Sequence, residues 1–318
     1  QAADKGHIAP LSQDELAYLY DLFSAPHGFI GVEPGKEVIL SYDGVPVKLR
    51  RVQVNVDRVQ VLQIYEKLLG ADTLEMGPID YSFKPTKPNI SFEQPLLRQA
   101  LSVTTAPVYY GSMPNLPLYS QPDGPFPNPM DLLPAGKIAE ARESYEGAIA
   151  HSVKDMVYVC SAMHECGADA IILDTVGAAG DPDFLAALMA TEQLKAKYPE
   201  ISIELAMAGE FVLGMHGELT YQGERLAGMY AHDQVRMAQK AGATIFGPVC
   251  NTRTNKTAPW NTAHAITYTK ACCEMADIPI HVNMGMGVGA MTMHEHVPVD
   301  VSSRQSKAMV EICRLDGL

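Results

Sequence analysis

No apolar run in this chain reaches the roughly 18–20 residues that a membrane-spanning helix needs, so no membrane is expected as a partner. Positive charge is scarce. The 24 Lys and Arg stand against 37 Asp and Glu, a formal net charge of −13. A surface of that sign repels phosphate backbones and argues against nucleic acid, while it suits a small cationic substrate. Cysteines are few and scattered: Cys160, Cys166, Cys250, Cys272, Cys273 and Cys313 contain no C-x-x-C pair. That spacing argues against a disulfide framework and a cysteine zinc site, and for a reducing cytoplasm. No stretch has the form of a signal peptide, although the first residue is Gln1 rather than Met.

What is present is a globular composition. With 318 residues, 47% of them hydrophobic and 19% charged, the chain has room for one large α/β domain or two smaller ones. Leu11 to Phe23 has apolar residues at amphipathic-helix spacing, capped by Ser12 with Glu15 three residues on. Val38 to Tyr42 and Val45 to Val54 flank Asp43-Gly44, a hairpin signal. Residues 1–56 are therefore expected to form an N-terminal appendage of helix plus β-hairpin, and 57–318 the main domain.

From residue 57 the chain repeats helix, Gly, strand. Gly70-Ala71-Asp72, Gly167-Ala168-Asp169 and Gly242-Ala243-Thr244 each close a helix in a left-handed cap before an apolar run. Further runs are Ala106 to Tyr110, Ile201 to Met207 and Ile278 to Met284, making six short strands separated by helices and hence parallel. Eight such units would close a (β/α)8 barrel of the TIM type. Val299 to Arg314 reads as another helix and residues 315–318 as the first step of a strand. The fold class expected is α/β, a TIM (β/α)8-type barrel, incomplete, with about six βα units.

A doubly wound open sheet is the competing architecture, and strand parity favours the barrel. Thr73 and Glu75 oppose Leu74 and Met76; Ile172 and Asp174 oppose Ile171 and Leu173. Ser202 and Glu204 oppose Ile203 and Leu205; His281 and Asn283 oppose Ile280 and Val282. One face is apolar enough to pack on helices. The other turns polar toward the C-terminal end, where barrel enzymes keep their chemistry.

The candidate catalytic carboxylates are Glu75, Asp174, Glu204 and Glu210. Asp80, Tyr81, Tyr110, Asn251, His281 and Asn283 are candidate substrate-binding groups at strand ends and the loops after them. No Lys or Arg sits at the first, third, fourth or sixth strand end, so the mouth should hold a cation and contain a carboxylate able to accept its proton. Gly285-Met286-Gly287-Val288-Gly289-Ala290 has dinucleotide-loop spacing, but it follows the sixth strand and opens no helix, so a nicotinamide site is rejected. Gly285, Gly287 and Gly289, with His216 in the loop after the fourth strand, suit close approach of a large ligand or partner. His164 with Cys166, and His294 with His296, lack a defined third ligand, so no metal is expected.

Five stretches carry a resemblance: residues 70–85 (GADTLEMGPIDYSFKP), 209–217 (GEFVLGMHG), 247–252 (GPVCNT), 281–289 (HVNMGMGVG) and 306–311 (SKAMVE). Over about residues 57–318 the sequence resembles the dimethylamine:corrinoid methyltransferases of methylotrophic methanogens; the first 55 residues match less clearly. The resemblance implies methyl transfer from dimethylamine to Co(I) of a corrinoid held by a partner protein, the chain itself binding no cofactor. It also implies pyrrolysine, an amber-encoded residue with an electrophilic ring imine, just after the segment matching Val310 to Leu318. On that reading the 318-residue chain lacks the residue and is inactive alone. Two alternatives stand beside it: a pyrrolysine-independent barrel methyltransferase or decarboxylase, and a non-catalytic fragment that binds the corrinoid protein. An incomplete barrel would leave strand edges open between the sixth and first strands, inviting association into a homo-oligomer.

Overall fold

The computed structural model describes residues 1–26, 28–44, 47–49, 54–77, 80–174, 176–214, 217–253, 255–284 and 298–318, with the side chains of 47–49, 54, 55 and 207 left aside. Two helices open the chain, α1 (Ala2–Gly6) and α2 (Gln13–Ser24), followed by β1 (Ser41–Asp43), β2 (Val47–Leu49) and β3 (Val54–Val56). Strands and helices then alternate: α3 (Arg58–Leu69), β4 (Thr73–Met76), α4 (Thr86–Val103), β5 (Val108–Ser112), α5 (Pro129–Leu132) and α6 (Ile138–Cys166). Next come β6 (Ala170–Leu173), α7 (Asp181–Lys197) and β7 (Ile203–Ala208), then a small ribbon of β8 (Thr220–Tyr221) with β9 (Glu224–Arg225). The chain continues through α8 (Ala231–Ala241), β10 (Ile245–Pro248), α9 (Ala258–Met275) and α10 (Val299–Ala308), the last extended by a π turn over Met309–Cys313.

Local chemistry sets these boundaries. Ser12 accepts the Glu15 N–H while the Glu15 carboxylate accepts the Ser12 N–H, the expected reciprocal cap of α2. Asp57 and Gln60 make the same box at α3. Gly70, Gly167 and Gly242 end α3, α6 and α8 in the left-handed region, and a strand begins three residues later in each case.

Six strands form one parallel sheet in the order β1-β4-β5-β6-β7-β10. Helices cover its outer face, where Leu74, Met76, Val108, Ile171, Leu173, Ile203, Leu205 and Phe246 are all buried in one continuous core. The sheet curls. Glu75 on β4 and Glu204 on β7 stand three strands apart, yet the charge of Glu204 is near enough to act on Glu75, as a concave inner face allows. The architecture is α/β and barrel-like; five of the six expected strands form as β4, β5, β6, β7 and β10, whereas the sixth, expected over Ile278 to Met284, makes only single bridges at Ile280 and His281.

One strand has a different origin. The hairpin expected across Asp43-Gly44 does not form: Ser41–Asp43 pairs in parallel with Thr73–Glu75 and is the first strand of the curled sheet. Gly44 N–H donates to Glu75 O (2.7 Å), which carries the pairing with β4 to the end of the turn signal. The antiparallel hairpin lies further along, between β2 and β3.

The edges expected to be open are joined. On one side Phe246 N–H donates to Pro279 O (3.0 Å) and His281 N–H to Phe246 O (3.0 Å). On the other, Ile39 N–H donates to Asp316 O (3.0 Å) and Ser41 N–H to Leu318 O (2.7 Å). Between them Val282 N–H donates to Gly317 O (3.0 Å), and Gly317 forms parallel bridges to both His281 and Ile39. Short steps at 279–282 and 316–318 thus complete the ring between β10 and β1, which removes free edge groups without two full strands.

Candidate functional site

Parity decides which side chains line the interior. In the parallel registers Asp43 lies opposite Glu75, Glu75 opposite Tyr109, and Ile172 opposite Glu204. These residues share the inner face, and His281 joins them from the step beside β10. Glu204 is only 2% exposed. Its Oε1 lies 2.8 Å from His281 Nδ1, and its buried Oε2 has no hydrogen-bond partner among the described residues. Oε1 of Glu75 is likewise buried and unpartnered.

The charges explain the titration behaviour. Burial, then the carboxylates of Asp43, Asp174 and Glu204, push Glu75 well above the usual carboxylate range. For His281 burial works against the charged form, but the charge and hydrogen bond of Glu204 and a bond to the Leu318 backbone outweigh it and hold the imidazole above its ordinary value. Tyr109, partly buried on the same face, is pushed up by burial, then by Glu204 and Asp169. The chamber therefore combines excess negative charge, two unsatisfied carboxylate oxygens and a protonatable imidazole. Such a group of sites attracts a small cation and can take a proton from it.

Of the residues singled out from sequence, the fold brings Glu75, Asp174, Glu204 and His281 together. Asn283 is exposed, two residues beyond His281. Two tyrosines lie elsewhere. Tyr110 alternates with Tyr109 and so points outward; it is buried near Glu93, Arg58 and Cys160, and burial pushes its hydroxyl above its ordinary value. Tyr81 is also buried on that side, its hydroxyl 2.7 Å from Ser112 Oγ. Both are core residues between sheet and helices, a correction to their expected role in substrate binding.

Glu210 is displaced from the chamber too. It lies past β7 and is 8% exposed. Its Oε1 accepts the Asn251 N–H (3.2 Å) and is 2.7 Å from His264 Nε2. Asn251 thus contributes its backbone, while its side chain is exposed. Asp80 is exposed and accepts weakly from Asn115 Nδ2 (3.4 Å), beside a cavity it lines with Met113, Pro114, Asn115, Ala179 and Asp183. Gly285, Gly287, Gly289 and His216 lie outside the described residues.

Four residues were not singled out from sequence. Asp43 carries only a turn signal in the sequence. Tyr109 is marked there by its parity with Glu75 alone. His264 lies mid-helix with no local signal. Asp183, in the first turn of α7, is pushed up to about 7 by burial, against the backbone N–H groups of Ala179, Ala178 and Gly177. Among the described residues no group of three or more His, Cys, Asp or Glu could hold a metal ion, and no helix is long and apolar enough to cross a membrane.

Several solved structures are similar. The carboxyl transferase domain of Rhizobium etli pyruvate carboxylase aligns at 12% identity and a TM-score of 0.46, over 89% of this chain and 40% of that one. The homocysteine methyltransferase MmuM of Escherichia coli aligns at 12% identity and 0.46, over 85% of this chain and 95% of that one. Xanthomonas albilineans dihydropteroate synthase aligns at 14% and 0.45, over 89% and 85%. At such scores these likenesses say nothing about chemistry. The sequence family is specific where they are not: the profile described as dimethylamine methyltransferase (Dimeth_PyL) matches residues 1–318, beyond the 57–318 in which the resemblance is plain to the eye. The chain that carries this acidic inner face belongs to the dimethylamine methyltransferase family.

Proposed function

We propose that the chamber binds dimethylammonium and removes its proton, so that one methyl group can pass to the Co(I) corrinoid of a partner protein. The observation that carries this reading is the pair of buried, unpartnered oxygens, Glu75 Oε1 and Glu204 Oε2, facing a common interior with Asp43 and Asp174. Two unsatisfied buried acceptors are costly unless a donor arrives, and an ammonium N–H supplies one to each. The raised affinity of Glu75 for protons makes it the acceptor of the amine's proton. His281 holds Glu204 in place. When bound, a Co(I) corrinoid of the partner protein would supply the electron pair for the new bond to carbon while the C–N pair stays on nitrogen; the part of this chain is to hold the amine, take its proton on Glu75 and return a proton to the departing methylamine.

Pyrrolysine is part of the same proposal, directly after the segment ending at Leu318. It would supply an electrophilic imine. The residues suited to surround it are those beside the Leu318 backbone, which bonds to Ile39, Ser41 and His281, with the orphaned Glu204 oxygen close by. The free cysteines and the lack of a membrane-crossing helix among the described residues support a cytoplasmic setting.

Calorimetric titration with dimethylammonium, and methylamine release with a corrinoid protein, test the reading. Glu204→Gln should weaken amine binding by roughly tenfold or more, the cost of losing a buried charge partner. Unchanged binding in both Glu204→Gln and Glu75→Gln would sink the carboxylate role. Turnover by the 318 residues alone would favour pyrrolysine-independent chemistry.

A further inference from the structure

The loop after β10 carries Asn251 over the C-terminal mouth on a few backbone bonds. Val249 N–H donates to Ala208 O (2.8 Å), Asn251 N–H to Glu210 Oε1 (3.2 Å) and Arg253 N–H to Asn261 Oδ1 (3.0 Å). The first and last of these belong to the sheet and to α9. The middle one depends on a side-chain carboxylate that is itself almost buried.

A carboxylate so placed needs a fixed partner to hold one rotamer. Glu210 has His264, whose Nε2 lies 2.7 Å from Oε1 and whose ring is 5% exposed. The imidazole is oriented by its own helix. Trp260, His264 and Tyr268 follow one another at i, i+4 and i+8 along α9, on one face. Trp260 stacks on the imidazole (centroids 5.1 Å apart, planes at 13°), and Tyr268 meets it edge-on (5.3 Å, 63°). Outside Trp260 lie Arg253 and Lys256, 5.6 and 5.3 Å from its ring, so the loop also rests on the far end of this stack.

We propose that His264 is a positioning residue: it aims the Glu210 carboxylate, and through it fixes the backbone at Asn251 over the mouth. Helix α9 thereby sets the geometry of the rim, through Glu210 at Asn251 and through the Asn261 side chain at Arg253. This goes beyond the methyl-transfer reading and does not rest on it. Glu210, which sequence alone would make a base, is here a strut.

The test is amide hydrogen exchange on the whole chain, with emission of Trp260, the one tryptophan in the sequence, as a second readout. His264→Phe keeps an aromatic ring in the stack and deletes the N–H. Exchange over 249–253 should accelerate about tenfold or more while β10 and the body of α9 stay protected. His264→Gln, whose amide N–H can reach the same oxygen, should recover most of the protection. Equal loosening throughout the molecule would reduce His264 to a packing residue, and exchange within about twofold of wild type at 249–253 would overturn the proposal. If His264→Phe fails to fold, Glu210→Ala supplies the same comparison, with acceleration confined to 249–253 expected and an unchanged loop overturning the idea.

Discussion

Burial and three neighbouring carboxylates push Glu75 above the usual range, so the native state binds its proton more tightly than the unfolded chain does. His281 has the same sign through Glu204. Both therefore contribute stability that is present at low pH and lost as pH rises through their native values. Glu75→Gln removes the titrating group while keeping the size of the side chain. It should raise the thermal midpoint at pH 8 relative to wild type, with the gap closing below about pH 4.5, where Glu75 is neutral in both states. Each tenfold native preference for the proton is worth about 1.4 kcal/mol. A thermal scan against pH in which the two proteins stay parallel would show that Glu75 is not strained in the way described. A bound amine cation should reverse the trend, because it favours the ionised carboxylates; affinity for dimethylammonium should rise with pH through the titration of Glu75.

At the scale of elements, what could be read from the sequence was whatever local chemistry decides. Helix–Gly–strand junctions at Gly70, Gly167 and Gly242 and the Ser12–Glu15 cap depend on residues within one turn, and they form as read. Period-2 alternation also settled which faces of β4 and β7 carry Glu75 and Glu204. What failed was non-local. Asp43-Gly44 is a good turn signal, but pairing with β4 outweighs it, and no local pattern announces a partner some thirty residues away. The Glu210–His264 pair joins a loop to a helix across fifty-four positions and leaves no mark in either segment. Gly247 lies between these cases, because its neighbours explain it only after folding. A Cβ there would stand 3.1 Å from Ala206 Cα, Glu204 Oε1 and the His281 carbonyl oxygen. Gly247→Ala should cost about 1–3 kcal/mol and shift Glu204 from His281. Gly31→Ala, with nothing within 4 Å of its Cβ position, is the control expected to be neutral. Matching urea midpoints for the two variants would refute the close approach.

At the scale of the whole molecule, the ring is held by two unequal arcs. Six strands form the larger one, with ladders of several residues each. The smaller arc, 279–282 and 316–318, has single bridges at Phe246–Ile280, His281–Gly317 and Ile39–Gly317. It contributes little sheet, but it covers the outer edges of β1 and β10, and buried Leu315 ties it to the core. It also brings His281 to Glu204, so the residues that close the ring also complete the inner face. Deleting residues 315–318 should therefore do two things together. It should expose the N–H groups of Ile39, Ser41 and Val282 and the C=O groups of Ile39 and Ile280, producing concentration-dependent association visible by light scattering. It should also release His281, since the backbone bond to Leu318 is gone, and shift its titration measured by NMR toward the ordinary value. A shortened chain that stays monomeric with His281 unperturbed would mean that the larger arc holds the chamber by itself. With a net charge of −13 opposing self-association, aggregation despite that repulsion would be the stronger sign that the short arc seals the ring.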